Sequence, residues 1–378
     1  MKVKVGKAYN NGAVLNDTVI EIENGRFSGF SSDADFDLDL SAYRVFPGFI
    51  DMHTHGGYSI EAVSASFDEL DTLSKYYASC GAAEFCATTV TESIDNLVKA
   101  EKRIVKRMAA GTSGAHIAGI YLEGPFLSHA FRGAHEESLL KTPTKEDIKR
   151  LIDAGEGNLR VVSIAPEIEG AEDAIKYLTE NGIKVSLGHS GATEEEANRG
   201  FSAGGSIAIH TYNAMKGLNH REPGMLGASL ARDDVFGEII CDFLHVAPTP
   251  IKIALRCKGK DKIVFITDSI VTAGLPDGNY MSGALPVVVK DGVARAENGA
   301  LAGSSIAINR AFANVVKTIG VPVEDAMLGV TKNPAEALGL YDEIGSIEKG
   351  KRAHLTVLDD NFNVVMTIVD GRVVYKNV

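Results

Sequence analysis

Two hydrophobic patterns alternate along this chain, and they divide it into three parts. Over residues 1–46 apolar and polar positions alternate with frequent turns: Lys2-Val-Lys-Val5, then Asn10-Asn-Gly12, Thr18-Val-Ile-Glu-Ile22 and Asn24-Gly25. Period-two alternation predicts short antiparallel strands with one face buried, joined by hairpin turns. The same pattern returns at the far end, in Ala353–Leu358, Val364–Val369, the Asp370-Gly371 turn and Arg372–Tyr375. Neither fragment is large enough to close a core alone. They predict one small β-sandwich built from both ends, residues 1–46 and 339–378.

Between the ends, over residues 47–338, the apolar runs lose their alternation, as strands buried on both faces do. They are Phe49–Met52, Glu84–Ala87, Ile117–Leu122, Arg160–Ile164, Lys184–Leu187, Ser206–Ile209, Glu238–Cys241 and Lys262–Ile266. Helical stretches separate them, among them Asp68–Ser79, Lys145–Ala154, Ala171–Glu180 and Thr193–Ala203, the last opened by the capping box Thr193-Glu-Glu-Glu196. Strand, loop and helix repeated eight times predict an α/β fold, a (β/α)8 barrel, which typically needs about 250 residues. Asn279–Ser304, rich in Gly and Val, is expected to be a hairpin inserted after the eighth strand.

In a parallel barrel, chemistry collects where the strands end. The polar residues found there are His53 and His55 on strand one, Glu123 on three, His189 on five, His210 on six and Asp268 on eight. Any one alone fits a hydrogen-bonded core histidine or a helix cap. Six at one rim, all of metal-ligand or acid/base type, point to a divalent metal site. His53 and His55, two apart on an extended backbone, project from the same side. Three protein ligands leave a coordination position for water, whose pKa a bound ion brings from 15.7 toward about 7. Asp268 is the natural group to take that water's proton and return it to a leaving amine.

Composition narrows the partners. The chain has 378 residues, ample for a substantial core, and a net charge of −12, which argues against nucleic acid or an acidic membrane. No run approaches membrane-spanning length and no signal-like segment opens the sequence, so a cytoplasmic protein is expected. Cys80, Cys86, Cys241 and Cys257 show no Cys-x-x-Cys spacing and are expected to be reduced.

The motifs Pro47-Gly-Phe-Ile-Asp-Met-His-Thr-His-Gly56, Leu122-Glu-Gly-Pro-Phe126, Leu187-Gly-His-Ser190, His210-Thr-Tyr-Asn-Ala-Met215 and Ile266-Thr-Asp-Ser269 resemble the amidohydrolase superfamily. Leu122–Phe126 and His210–Met215 narrow the resemblance to its N-acetylglucosamine-6-phosphate deacetylase branch. That resemblance implies metal-dependent removal of an N-acetyl group from a phosphorylated amino sugar, a small-molecule substrate. It implies Glu123, His189 and His210 as ligands of the principal metal, with His53 and His55 holding a second and Glu123 bridging. Zinc is the metal expected first, with iron, manganese or cobalt accepted by the same donors. Among substrate contacts it implies Glu123, Ala134 and His135, with His135 helping to polarise the acetyl carbonyl. Asn213 and Ala214 would hold substrate, Arg221 and His245 would bind its phosphate, and Leu301, Ala302 and Gly303 would line the sugar pocket. A homodimer is expected by the same likeness. Two other readings compete. Cyclic-amide hydrolases resemble one another in bridging two metals with a carboxylated lysine on strand four, yet Val161-Val-Ser-Ile-Ala-Pro-Glu167 has no lysine. A barrel that had lost its chemistry would be expected to lack some ligands or the acid/base group, and all are present.

Overall fold

Each of the eight unbroken apolar runs forms a strand, and all eight are parallel. The structure, a computed structural model, describes residues 1–32, 35–282, 285–296, 301 and 303–377. The barrel strands are β1 (Phe49–Thr54), β2 (Ala82–Thr89), β3 (His116–Leu122), β4 (Leu159–Ile164), β5 (Lys184–Leu187), β6 (Gly205–Ala208), β7 (Phe236–Ile240) and β8 (Ile263–Ile266). They pair in chain order from β1 to β8. The helices between and after them are α1 (Phe67–Ser79), α2 (Ile94–Ala110), α3 (Lys145–Gly155), α4 (Ala171–Glu180), α5 (Glu194–Ser202), α6 (Gly224–Ala231), α7 (Pro248–Lys258) and α8 (Ile308–Asn314). At the head of α5, Thr193 lies outside the helix as its cap. Its hydroxyl accepts from Glu196 N–H while the Glu196 carboxylate takes Thr193 N–H, as the sequence predicts.

The first and last strands meet without a ladder of their own. The Asp51 carboxylate on β1 accepts from the backbone N–H (3.2 Å) and hydroxyl (2.6 Å) of Thr267, just past β8. One residue on, Asp268 N–H donates to His53 O at 2.9 Å. This seam closes the barrel and lies within the row of predicted site residues. Inside, Ile50, Met52, Tyr121, Val161, Ile207, Ile240, Val264 and Ile266 pack together with Ala335, Leu338 and Ile344. Asn333 donates to the carbonyls of Lys260 and Ile263 at the start of β8, so this last segment plugs the end opposite the site.

Both termini share one sheet. Its order is Arg372–Lys376, Val364–Val369, Leu355–Leu358, Arg44–Pro47, Lys2–Asn10, Ala13–Glu23 and Arg26–Ser31, with Leu38–Asp39 pairing Lys2–Asn10 off this path. Side chains from the two ends, such as Val3, Val5, Val45, Leu355, Val357 and Ile368, form a single core. The expected hairpin after β8 has three strands instead: Gly278–Ser282, Leu285–Lys290 and Val293–Ala296. Asp291-Gly292, both at positive φ, makes the extra turn. All four cysteines are free, with only Cys257 exposed.

Candidate metal centre

Glu123 follows β3 directly and stands at the hub. Its Oε1 lies 2.9 Å from His189 Nε2 and 2.9 Å from His210 Nε2. Its other oxygen, Oε2, lies 2.8 Å from His55 Nε2 and 3.6 Å from His53 Nε2. Asp268 Oδ1 approaches that second pair, 3.1 Å from His55 Nε2 and 3.6 Å from His53 Nε2. All five metal-ligand candidates are buried. Two donor sets result, His53–His55–Glu123–Asp268 and Glu123–His189–His210, sharing the Glu123 carboxylate.

His189, His210 and Asp268 each come two residues after their strand, with backbone φ of 45°, 23° and 50°. That left-handed region is uncommon for residues with a side chain and costs energy the surroundings must supply. Hydrogen bonds hold it: Ser128 N–H donates to His189 O (3.0 Å), His210 N–H to Glu238 Oε2 (3.1 Å), and Asp268 N–H to His53 O (2.9 Å). The turn swings each functional side chain inward over the barrel mouth.

The protonation pattern fits a cation. His189 Nδ1 sits 2.9 Å from the Phe131 carbonyl oxygen, which only accepts, so Nδ1 carries the proton and Nε2 a bare lone pair. Burial lowers the pKa of His189 to about 4, keeping the ring neutral. Its lone pair therefore faces the Glu123 carboxylate 2.9 Å away, two acceptors opposed, an arrangement that a positive ion satisfies. A tetrahedral ion with bonds of about 2.0–2.1 Å sets its ligands about 3.3 Å apart, close to the separations here. In the other set, burial opposes charge on His53, but the Glu238, Glu123 and Asp268 carboxylates overcome it and raise its pKa well above normal. His55 rises to about 9 in the same way, burial being outweighed by Asp268 and Glu123. Asp268 is itself held down to about 2, its burial outweighed by the two rings. A pocket that attracts protons this strongly favours a divalent cation too, and the donors fit one.

The remaining predicted residues spread over the loops above this centre. His135 stands edge-on to His189, ring centroids 4.7 Å apart, with Nε2 at 3.7 Å from Glu123 Oε2. Its Nδ1 accepts from Thr91 N–H at 3.3 Å and lies 2.7 Å from the Thr91 hydroxyl. The proton thus resides on Nε2, the nitrogen facing the centre. Ala134 is exposed beside it. Asn213 donates its amide to His210 O (3.2 Å), and Ala214 O takes Ser190 N–H (3.0 Å), tying the β5 and β6 loops together. Gly303, at φ 70°, packs against Ile270, and its neighbour Ser304 donates to Asp268 O. Leu301 forms an isolated bridge with Arg295. Ala302 lies outside the described residues. Arg221 and His245 are not drawn into the cluster. The exposed Arg221 guanidinium has no hydrogen bond or ion pair among the described residues, while His245 Nδ1 meets Asp242 Oδ2 at 2.6 Å.

Three contributors escape a reading of the motifs. Glu238 lies inside the β7 run, where a fully buried acid among apolar residues is the one available signal. Thr91 supports His135 from a loop where threonine is unremarkable. Glu167 accepts from the Ser190 hydroxyl (2.7 Å) and Gly191 N–H (2.6 Å), steadying the segment behind His189.

Comparison with known proteins bears on this geometry. The sequence model of the Amidohydrolase family matches residues 44–374. The chain is 38% identical to the N-acetylglucosamine-6-phosphate deacetylase of Vibrio furnissii, over 99% of this chain and 94% of that protein. It is 36% identical to the N-acetylgalactosamine-6-phosphate deacetylase of Escherichia coli O157:H7, over 95% of each. Among solved structures, a mutant N-acetyl-D-glucosamine-6-phosphate deacetylase of Mycobacterium smegmatis in complex with N-acetyl-D-glucosamine-6-phosphate superposes with a TM-score of 0.94. It shares 32% identity, with 100% of this chain and 99% of that one covered. The Thermotoga maritima N-acetylglucosamine-6-phosphate deacetylase gives 0.91 at 33% identity, covering both chains fully.

Proposed function

The chain belongs to the amidohydrolase family, and from that premise we propose that it hydrolyses the N-acetyl group of N-acetyl-D-glucosamine 6-phosphate, giving glucosamine 6-phosphate and acetate. The observation that carries the chemistry is the Glu123 carboxylate shared between two histidine pairs, with Asp268 beside one of them. In this reading Glu123, His189 and His210 hold the principal divalent ion, and His53 and His55 hold a second. The ion is zinc, with iron, manganese or cobalt accepted by the same donors. When bound, such an ion supplies Lewis acidity, polarising a carbonyl and lowering the pKa of a coordinated water.

The chain's own groups supply the rest. Asp268, ionised at neutral pH, takes a proton from the attacking water as its oxygen bonds to the acetyl carbon. It then delivers that proton to the amide nitrogen, so the C–N bond breaks with a neutral amine leaving, and acetate is released. His135, with its proton on Nε2, donates to the carbonyl oxygen where negative charge develops. Asn213, Ala214, Ala134, Leu301 and Gly303 border the sugar, and Arg221 with His245 binds the phosphate. Arg221 offers an always-charged planar fork for that anion. We place the enzyme in the cytoplasm as a homodimer.

A second reading has its own support in the galactosamine relative, whose substrate differs only in the hydroxyl at carbon 4. Acetate release from both 6-phosphates, with chelator inhibition and recovery on adding zinc, decides between them. No chelator-sensitive release from either sugar would sink the reading. A charge-assisted contact contributes roughly 1.5–3 kcal/mol, so Arg221→Ala should cost about one to two decades in kcat/KM on the phosphorylated substrate. Unphosphorylated N-acetylglucosamine should be turned over as slowly by the variant as by the wild type. Equal proportional losses on the two would make Arg221 structural.

A further inference from the structure

Glu238 has no part in the steps above, yet it touches both halves of the centre. It lies on β7, fully buried, and its Oε2 receives two hydrogen bonds. One comes from His53 Nδ1 at 2.9 Å, the other from the backbone N–H of His210 at 3.1 Å. His53 belongs to one donor set and His210 to the other. Its second oxygen, Oε1, is buried without a hydrogen-bond partner among the described residues. A buried carboxylate left half satisfied is expensive, so packing gives no reason for it. Its effect on His53 gives one. A carboxylate only accepts, so Nδ1 of His53 always carries a proton toward Glu238, and Nε2, directed at Glu123 and Asp268, is the nitrogen left to offer its lone pair to a cation. Tyr121, its ring centroid 4.7 Å away, holds the imidazole from the side. Outer carboxylates of this kind orient a ligand ring and make it a stronger base. His55 differs, because its Nδ1 is buried with no partner among the described residues. Of the strand-one pair, His53 is therefore the ring held in place from behind.

We infer that Glu238 is a positioning residue for His53, and that the affinity of the His53–His55 position for a divalent cation depends on it. This rests on the reading of the two donor sets as metal positions and not on the identity of the substrate. The test strips metal from the full-length protein with a chelator and titrates Zn²⁺ back. Stoichiometry is read by elemental analysis and affinity by competition with a chromophoric chelator. The double variant His53→Asn/His55→Asn identifies which ion belongs to strand one. Glu238→Ala should weaken that same ion by about 10–100-fold and, because it also removes the acceptor for His210 N–H, weaken the other as well. Glu238→Gln keeps the shape, the fold and an acceptor for both N–H groups but loses the charge, so it should weaken the ion by about fivefold. Unchanged affinity at that position in the Gln variant overturns the proposal, whether or not the Ala variant folds. So does a wild-type chain that takes up one ion and keeps it when His53 and His55 are replaced. A protein that binds two ions in the expected pattern but releases no acetate leaves Glu238 in its role and removes the deacetylase reading instead.

Discussion

Asp268 and His135 face the same centre with opposite protonation, and each owes its state to a named neighbour. Asp268 is held ionised by His55 and His53 despite its burial. An asparagine there would keep the backbone turn and the metal ligands but could not carry a proton from water to amine. Asp268→Asn should retain wild-type metal content and lose about 10²–10⁴-fold in kcat. A kcat within a few-fold of wild type would remove Asp268 from the proton path. His135 depends on Thr91, whose hydroxyl and N–H both reach Nδ1. Thr91→Val removes the hydroxyl and leaves the N–H, a loss of one hydrogen bond of about 1 kcal/mol. The expected result is a roughly fivefold lower kcat with KM and metal content unchanged, and recovery in Thr91→Ser. An effect confined to KM would contradict this role. At this scale the sequence shows the proposed ligands and hides their supports. A histidine closing an apolar strand stands out, whereas Thr91 is one hydroxyl among several in Thr88-Thr-Val-Thr91 and reveals itself only beside His135.

Among the elements, α2 carries a carboxylate that serves no visible purpose. Glu101 faces α3, where a Cβ on Gly155 would lie 3.6 Å from its Oε1, and neither oxygen has a partner among the described residues. Burial pushes its pKa up to about 9 from an ordinary 4.5. The folded chain thus keeps a proton that the unfolded chain releases above pH 4.5, so this group makes stability fall as pH rises from about 4.5 to 9. Glu101→Gln removes the titration. Compared with wild type in urea melts, the variant should be equal near pH 4.5 and more stable by about 4–5 kcal/mol at pH 8. No change in the difference across that range would show that Glu101 finds a partner in solution. The helices and barrel strands themselves were legible, because a strand buried on both faces leaves an unbroken apolar run. The insertion after β8 was not fully so: Val293–Ala296 is four residues long and follows Asp291-Gly292 directly, so three short strands read as two.

For the whole molecule, the joint between the barrel and the terminal sheet combines apolar packing, with Phe46 against Phe49 and Phe312, and a network of charged groups. Asp370 sits between Arg352, which donates through Nε at 2.9 Å and Nη2 at 2.7 Å, and His116 Nε2 at 2.7 Å. Glu84 on β2 ties in through Arg352 (3.2 Å) and His354 (3.1 Å). Burial opposes ionisation of Asp370, but His116 and Arg352 overcome it and hold its pKa well below the usual range. A depressed acid contributes stability above its unfolded pKa and loses it as pH falls below about 4. Asp370→Asn should therefore cost about 2 kcal/mol at pH 7, with the difference shrinking in acid. An equal cost at pH 3 and pH 7 would point to packing instead. This joint was invisible in the linear pattern, since it links residues 84, 116, 352 and 370 with nothing periodic between them. The barrel seam has a consequence for how the protein comes into being. His53 emerges early from the ribosome, but the bond that sets it against Asp268 waits for more than two hundred further residues. A nascent chain halted before residue 268 holds His53 and His55 without Asp268 across from them and with no closed barrel around them. Metal capture at the proposed His53–His55 position is therefore a late event in the birth of the chain, and a ribosome-stalled series should acquire tight zinc binding there only once β8 has cleared the exit tunnel.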